Sequence, residues 1–302
     1  MTKNTQDKPL NGINDITDKE LTQRRNILKA IGLTIVASPL VELVGCNSDS
    51  TETNTDTNNS NTDTGTDTDT DTTVTPTSWA SGGTGSMTAN FPDTSLFSAS
   101  DACSLALAKA AVEGPCYFEV DNRDDISDSE TGLPMQLCFQ VIDANCNPIT
   151  GLEVEVWHCN IKGVYSGDTS GSADKSRFNS GYCTGNASDA LKSTWFRGTQ
   201  VTDSDGRVNF KSCFPGWYSG RTIHVHFRIK NNNSDELISQ LGFADSLTTE
   251  ICTTHPEYLG RGQQDTSLSR DNIFGSSYNA FLFNTSQNED GSLLAWRTLQ
   301  LS

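Results

Sequence analysis

The chain reads as all-β, a β-sandwich of mixed or antiparallel sheets with few short helices. Three observations lead there. Short apolar runs of period two recur through residues 81–302, the pattern of strands with one buried face. Asn, Asp, Gly and Pro clusters separate them as turns. Helical periodicity is weak, confined to 104–112 and 236–241. Many short strands with such turns imply two packed sheets around one core.

Residues 1–46 read as an address rather than as part of that fold. Gln23-Arg24-Arg25-Asn26-Ile27-Leu28-Lys29 has the twin-arginine form, and an apolar run from Ala30 to Gly45 follows, broken by Pro39 and Glu42. A spanning helix needs about 20 apolar residues, so this run suits a cleaved export signal. It ends Leu43-Val44-Gly45-Cys46, in the manner of a bacterial lipobox, which predicts a lipid anchor to the membrane at Cys46. The expected location is the bacterial cell envelope, reached by the twin-arginine route. Residues 47–80 are mostly Thr, Asp, Asn and Ser, with little to bury, and read as a disordered spacer. Residues 81–302 remain for one sizeable domain.

The net charge of −17 argues against a nucleic-acid partner, which calls for a basic face. There are nine cysteines. With Cys46 set aside for lipid, the others are Cys103, Cys116, Cys138, Cys146, Cys159, Cys183, Cys213 and Cys252. An even number in an exported domain reads as a disulfide framework, with the pairing open. No Cys-x-x-Cys pair points to a zinc ribbon.

Within the domain, strands are expected at 135–143, 152–159, 196–202, 207–213 and 222–230, with late strands at 282–284 and 293–301. Ala144-Asn145-Cys146-Asn147-Pro148 is a turn, and Asp203-Ser204-Asp205-Gly206 a hairpin-like one. In the second strand Val154, Val156 and His158 share one face, opposite Glu153, Glu155 and Trp157. His158 is therefore expected in the core, and His255, in Thr254-His255-Pro256, in a loop.

The most informative stretch is Phe214-Pro215-Gly216-Trp217-Tyr218-Ser219-Gly220-Arg221-Thr222-Ile223-His224-Val225-His226-Phe227. On a strand His224 and His226 point to one side, and Ile223, Val225 and Phe227 to the other, into a core. Two imidazoles with a tyrosine just upstream point to a metal site. Tyr165, in Gly163-Val164-Tyr165-Ser166-Gly167, is the second candidate phenol, and Arg221 is close enough in sequence to reach the same pocket. A free phenol, with a pKa of about 10, ligates poorly at neutral pH unless a highly charged cation stabilises its phenolate. Two phenolates favour a hard metal such as Fe(III) over Zn or Cu(I). Taken singly, the two histidines read as buried structural residues and Tyr165 as a packed aromatic.

Taken together, these residues resemble the intradiol ring-cleavage dioxygenases, the catechol and protocatechuate dioxygenase superfamily. The resemblance runs from Glu113-Gly114-Pro115 to about Phe243. It passes through Glu153-Val154-Glu155-Val156-Trp157-His158, Gly163-Val164-Tyr165, Arg197-Gly198, Asp203-Ser204-Asp205-Gly206, Pro215-Gly216-Trp217-Tyr218 and the segment from Arg221 to His226. It implies Tyr165 and His224 as equatorial ligands of Fe(III), with Tyr218 and His226 as the axial pair. It also implies a catechol-type substrate and O2, and ring opening between the hydroxyl-bearing carbons to a muconate-type diacid. Tyr218 would act as a base when substrate binds, Arg221 would stabilise negative charge on the ring, and Gln240 would support the site. The sequence departs from the cytosolic members in a short interval between Tyr218 and His224. It departs again at Cys116, where an aromatic is common. With the export signal, these features resemble a secreted, lipid-anchored branch. Two other readings compete. One is a non-catalytic, lipid-anchored β-sandwich that binds aromatic or carbohydrate ligands. The other is a zinc hydrolase built on the histidine pair, which lacks a His-Glu-x-x-His motif.

Overall fold

Two four-stranded sheets face each other in the computed structural model, which describes residues 78–98, 108–168 and 181–302. The twin-arginine segment, Cys46, residues 47–77 of the expected spacer, and Cys103 lie outside the described residues. The last three spacer residues, 78–80, are described and join the domain instead: Trp79 packs against the core and Ala80 N–H donates to Gly291 O at 2.9 Å. One sheet has the order β4-β1-β8-β7, from β1 (Pro134–Ile142), β4 (Arg207–Cys213), β7 (Asn284–Gln287) and β8 (Leu293–Gln300). The other has the order β3-β2-β5-β6, from β2 (Glu153–Trp157), β3 (Arg197–Val201), β5 (His224–Asn231) and β6 (Ser234–Gly242). The first is mixed, because β1 and β8 run parallel, and the second is wholly antiparallel. The expected β-sandwich is what forms. Among the described residues helices are few: α1 (Ser188–Lys192), α2 (Asp245–Thr254) and short 3-10 turns.

The alternating apolar residues make the core. Leu137, Phe139 and Val141 of β1 meet Val154 and Val156 of β2 and Val225, Phe227 and Ile229 of β5, all buried. Burying a side chain of this size contributes about 1.5–3 kcal/mol. His158 lies just past β2 and is buried, as expected. Its Nδ1–H donates to Cys159 O at 2.8 Å, and its Nε2 accepts from Ser212 Oγ at 2.7 Å.

Several expectations need correction. Residues 236–241 are not helical but belong to β6. β5 and β6 form a hairpin whose turn holds Asn232 and Asn233 at φ 48° and 65°, the left-handed pair of a tight turn, which asparagine tolerates. Residues 108–112 carry no helix, and 104–107 lie outside the described residues. The turn at Asp203-Ser204-Asp205-Gly206 closes as expected, with Gly206 N–H on Asp203 O at 3.0 Å. It is a corner between sheets rather than a hairpin, since β3 pairs with β2 and β4 with β1. The late strand expected at 282–284 begins instead at Asn284. His255 follows α2, as a loop residue would, but is buried with Nε2–H donating to Ala80 O.

The cysteines divide. Cys116 and Cys183 form a disulfide, and Cys146 is disulfide-bonded too. Cys138, Cys159, Cys213 and Cys252 are free and buried, so the framework does not take in every cysteine. They pack as small apolar groups; burial pushes the Cys138 and Cys159 thiols up to about 12, away from the reactive thiolate.

The buried histidine gives the fold a pH dependence. Burial pushes the His158 pKa down to about 4, against the opposing hydrogen bond to Cys159 O. The folded state thus holds a neutral ring while the unfolded chain, at about 6.5, takes up a proton. That contribution to stability is complete above pH 6.5 and is lost as pH falls towards 4, by up to about 1.4 kcal/mol per unit. Thermal unfolding of wild type and His158→Gln across pH 4–7.5 tests this. The variant should start lower at pH 7.5 and fall less steeply below 6.5; parallel profiles would disprove the assignment.

Candidate metal centre

The site lies on the outer face of the β3-β2-β5-β6 sheet. Strand alternation aims His224 and His226 outward while Val225 and Phe227 enter the core. Cross-strand register then sets their neighbours. Trp157 of β2 lies opposite His226, and Gln240 of β6 lies opposite His226 on the other side. The Trp157 and His226 rings stack at 5.0 Å between centroids.

The two tyrosines arrive on loops that pass one another backbone to backbone. Asn160 O accepts from Gly163 N at 2.9 Å and from Gly216 N at 3.1 Å. The Asn160 side-chain Oδ1 accepts from Lys162 N and Val164 N. Gly163, at φ 76°, lies against Trp217 O, and Gly216 lies against Ile161 O, with no room for a Cβ at either position. This crossing delivers Tyr165 and Tyr218 to the same point.

All four sequence-predicted ligand candidates meet there. His224 Nε2 is 3.4 Å from Tyr165 Oη, 3.2 Å from Tyr218 Oη and 3.1 Å from His226 Nε2. His224 Nδ1–H donates to Thr222 O at 2.6 Å, so its Nε2 carries the lone pair. That lone pair faces two hydroxyls, a second ring nitrogen and Arg221 Nη1 at 3.4 Å. It is crowded by more donors than one acceptor can satisfy. His226 Nδ1 is buried without a partner.

Burial dominates the electrostatics. It pushes the Tyr165 and Tyr218 phenols up; Arg221 opposes it at both without reversing it. It pushes His224 and His226 down, with Arg221 adding to the effect. The protein alone therefore holds neutral phenols and neutral imidazoles.

Arg221 joins the same cluster, with Nη1 3.5 Å from Tyr218 Oη. Nε donates to Asp271 Oδ2 at 2.8 Å, and Nη2 donates to Gln240 Oε1 at 2.6 Å. Gln240 is anchored in turn through Nε2 to Val112 O at 2.8 Å. Asp271 also accepts from the backbone N–H of Thr222 and Ile273. Burial alone would raise its carboxyl, yet Arg221 and these N–H groups hold it below the usual range. Sequence reasoning missed Asp271, which lies 50 residues from Arg221 with no local signal. It placed Trp157 on the outer face without its ring partner. Among the described residues no cluster of three or more His, Cys, Asp or Glu could hold a metal, so the phenols are the other half of any donor set.

Gly216→Ala tests the crossing. The added methyl would push the 214–218 loop off Ile161 and move Tyr218 away from His224. A loss of about 2–4 kcal/mol in stability is expected, read by denaturant titration. Wild-type stability would show that the two backbones do not pass as described.

The sequence profile described as "Dioxygenase" matches residues 112–259, which span the crossing, both imidazoles, Arg221 and Gln240. Catechol 1,2-dioxygenase 1 of Acinetobacter lwoffii is 26% identical over 154 residues, 43% of this chain and 44% of that protein. Catechol 1,2-dioxygenase of Pseudomonas sp. (strain EST1001) is 28% identical over 160 residues, 44% of this chain and 46% of that one. The chain thus spans less than half the length of these curated relatives. A solved intradiol ring-cleavage dioxygenase from Tetranychus urticae superposes with a TM-score of 0.54 at 27% identity, covering 65% of this chain and 94% of that one. Profile, relatives and fold agree with the resemblance carried by the motifs, and for residues 112–259 they support the intradiol ring-cleavage dioxygenase family.

Proposed function

We propose that this chain is a non-haem ferric dioxygenase that opens a catechol-type ring between its two hydroxyl-bearing carbons, using O2 and yielding a muconate-type diacid. The observation that carries this reading is the meeting of Tyr165, Tyr218 and His226 around His224 Nε2, at 3.1–3.4 Å. Donor–metal bonds of about 2 Å put neighbouring donors roughly 3 Å apart, so the spacing fits one small cation. Neutral imidazoles are the form that ligates. Two buried phenols become anionic only beside a strong positive charge, and hard anionic oxygens favour Fe(III). The residues present fit that ion: Tyr165, Tyr218, His224 and His226 would hold it. Bound there, Fe(III) would supply Lewis acidity towards the catechol oxygens and the electron-withdrawing power that opens the ring to O2.

The chain's own groups account for the rest. Tyr165 is buried, whereas Tyr218 is partly exposed. Tyr218 is therefore the phenol open to the substrate; ionised beside the cation, its Oη would be the group placed to take a catechol proton. Arg221 is held rigidly by Asp271 and Gln240, so its cation stands ready where negative charge develops on the ring. Gln240 acts through Arg221 as a positioning residue. Trp157, stacked on His226, keeps water from that side of the imidazole. We further place the protein in the cell envelope, anchored at Cys46. The export signal supports this, as does a disulfide of the kind oxidising compartments preserve.

Oxygen uptake with a panel of catechols, product identification and metal analysis on the purified full chain test the function. Red-brown, iron-containing protein that consumes O2 and releases a ring-opened diacid is expected; colourless, metal-free protein that consumes none would sink the reading. Tyr165→Phe should lose most of its colour and iron. Arg221→Ala should keep its iron and lose roughly a hundredfold or more in turnover. Full turnover in Arg221→Ala would remove that side chain from the reaction.

A further inference from the structure

Tyr165 is gripped on both sides of its backbone. Its N–H donates to Cys183 O at 2.8 Å. The next residue, Ser166, offers its carbonyl to Arg197, with Nη2 at 2.6 Å and Nε at 3.2 Å, and its hydroxyl to Nε at 3.1 Å. Arg197 Nη2 also donates to Cys116 O at 2.7 Å. Cys116 is bridged to Cys183. Tyr165, Cys183, Cys116, Arg197 and Ser166 therefore close a ring of covalent and hydrogen bonds.

That ring reaches the imidazoles as well. Cys116 follows the segment that covers them: Gly114 lies against His226, where a Cβ would come within 3.3 Å of Cε1, and Val112 O anchors Gln240. Cys116, Cys183, Trp157 and Tyr165 pack in one buried cluster, with Tyr117 and Tyr218 against it. Arg197 is an unusual member of such a circuit. It is 1% exposed, and no carboxylate pairs with it among the described residues. The Phe118 ring lies 4.6 Å from its guanidinium carbon. Burial pushes its pKa down to about 9. A buried, unpaired cation is unfavourable; what it supplies in return is a rigid planar fork that binds two segments at once.

We propose that the Cys116–Cys183 bridge and Arg197 form a positioning device for Tyr165, holding its phenol against the His224–His226 pair so that tight metal binding requires the closed bridge. This rests on the metal reading above. The bridge at Cys146 is different. Cys146 itself lies in the turn after β1, beyond Ile142, whereas the site end of β1 is Pro134, paired with Cys213.

Three variants of the full chain test the device: Cys116→Ala/Cys183→Ala, Arg197→Lys and, as control, Cys146→Ala. Two rates are read. One is amide hydrogen exchange of the metal-free protein at 163–167 and 111–118; the other is removal of iron from loaded protein by a chelator. Without the bridge, exchange at Tyr165 should rise by about tenfold or more. Iron release should quicken by roughly 10–100-fold, with the tyrosinate absorption band displaced. Arg197→Lys should shift both rates the same way, since lysine keeps the charge but loses the fork. Cys146→Ala should lower Tm and leave both rates at wild type. Wild-type rates in a folded bridgeless variant would overturn the proposal, as would equal effects from Cys146→Ala. If the bridgeless variant does not fold, Arg197→Lys decides by the same two rates. If wild type takes up no iron, the metal reading fails, and exchange in the metal-free protein alone decides the positioning role.

Discussion

The backbone crossing centred on Asn160 is the constraint on which the site depends. One side-chain amide and one carbonyl organise the turn before Tyr165 and hold the turn before Tyr218 against it. Glycine at 163 and 216 leaves out the Cβ atoms that would push the two backbones apart. With the crossing in place, two phenols separated by 53 positions in sequence approach the same imidazole. Without it, β5 would carry a pair of histidines facing an open loop.

The sheet face beneath the site is polar along its length, which is unusual for a surface so well covered. After His224 and His226, the same side of β5 presents Arg228 and Lys230, all buried. Lys230 pairs with Glu155, and Arg228 pairs with Glu113 and lies 4.0 Å from the Tyr117 ring centroid. Charges taken out of water must find partners, so this row ties down the segment around residues 113–117. That segment also carries Gly114 and Cys116. The ion pairs under the cover and the ligand candidates under its edge thus share one covering segment.

Much of the fold was legible because a strand with one buried face writes its period into the sequence. The runs at 135–143, 152–159 and 207–213 fall on β1, β2 and β4 within a residue or two. The errors share a cause. Residues 236–241 carry Glu, Leu, Ile, Ser and Gln, which suit a helix locally, but pairing with β5 satisfies their backbone groups and decides for strand. The turn after β3 was visible, whereas the sheet that receives the chain beyond it was not, because turn chemistry does not encode a pairing partner. The free thiols follow the same logic: a cysteine in a well-filled core needs no bridge, and burial is a property of the packed molecule.

The sequence by itself determined the kinds of side chain and the faces they occupy: His224 and His226 together, opposite Val225 and Phe227, with Tyr218 just upstream and Tyr165 just past the second strand. These follow from covalent geometry and local alternation, which need no knowledge of distant residues. Only tertiary structure decided the register that sets Trp157 beside His226, the reach of Asp271 to Arg221 and the circuit through Cys116, Arg197 and Cys183. Each joins segments whose approach depends on how two whole sheets pack, a balance of burial and pairing summed over the domain and recorded at no single position.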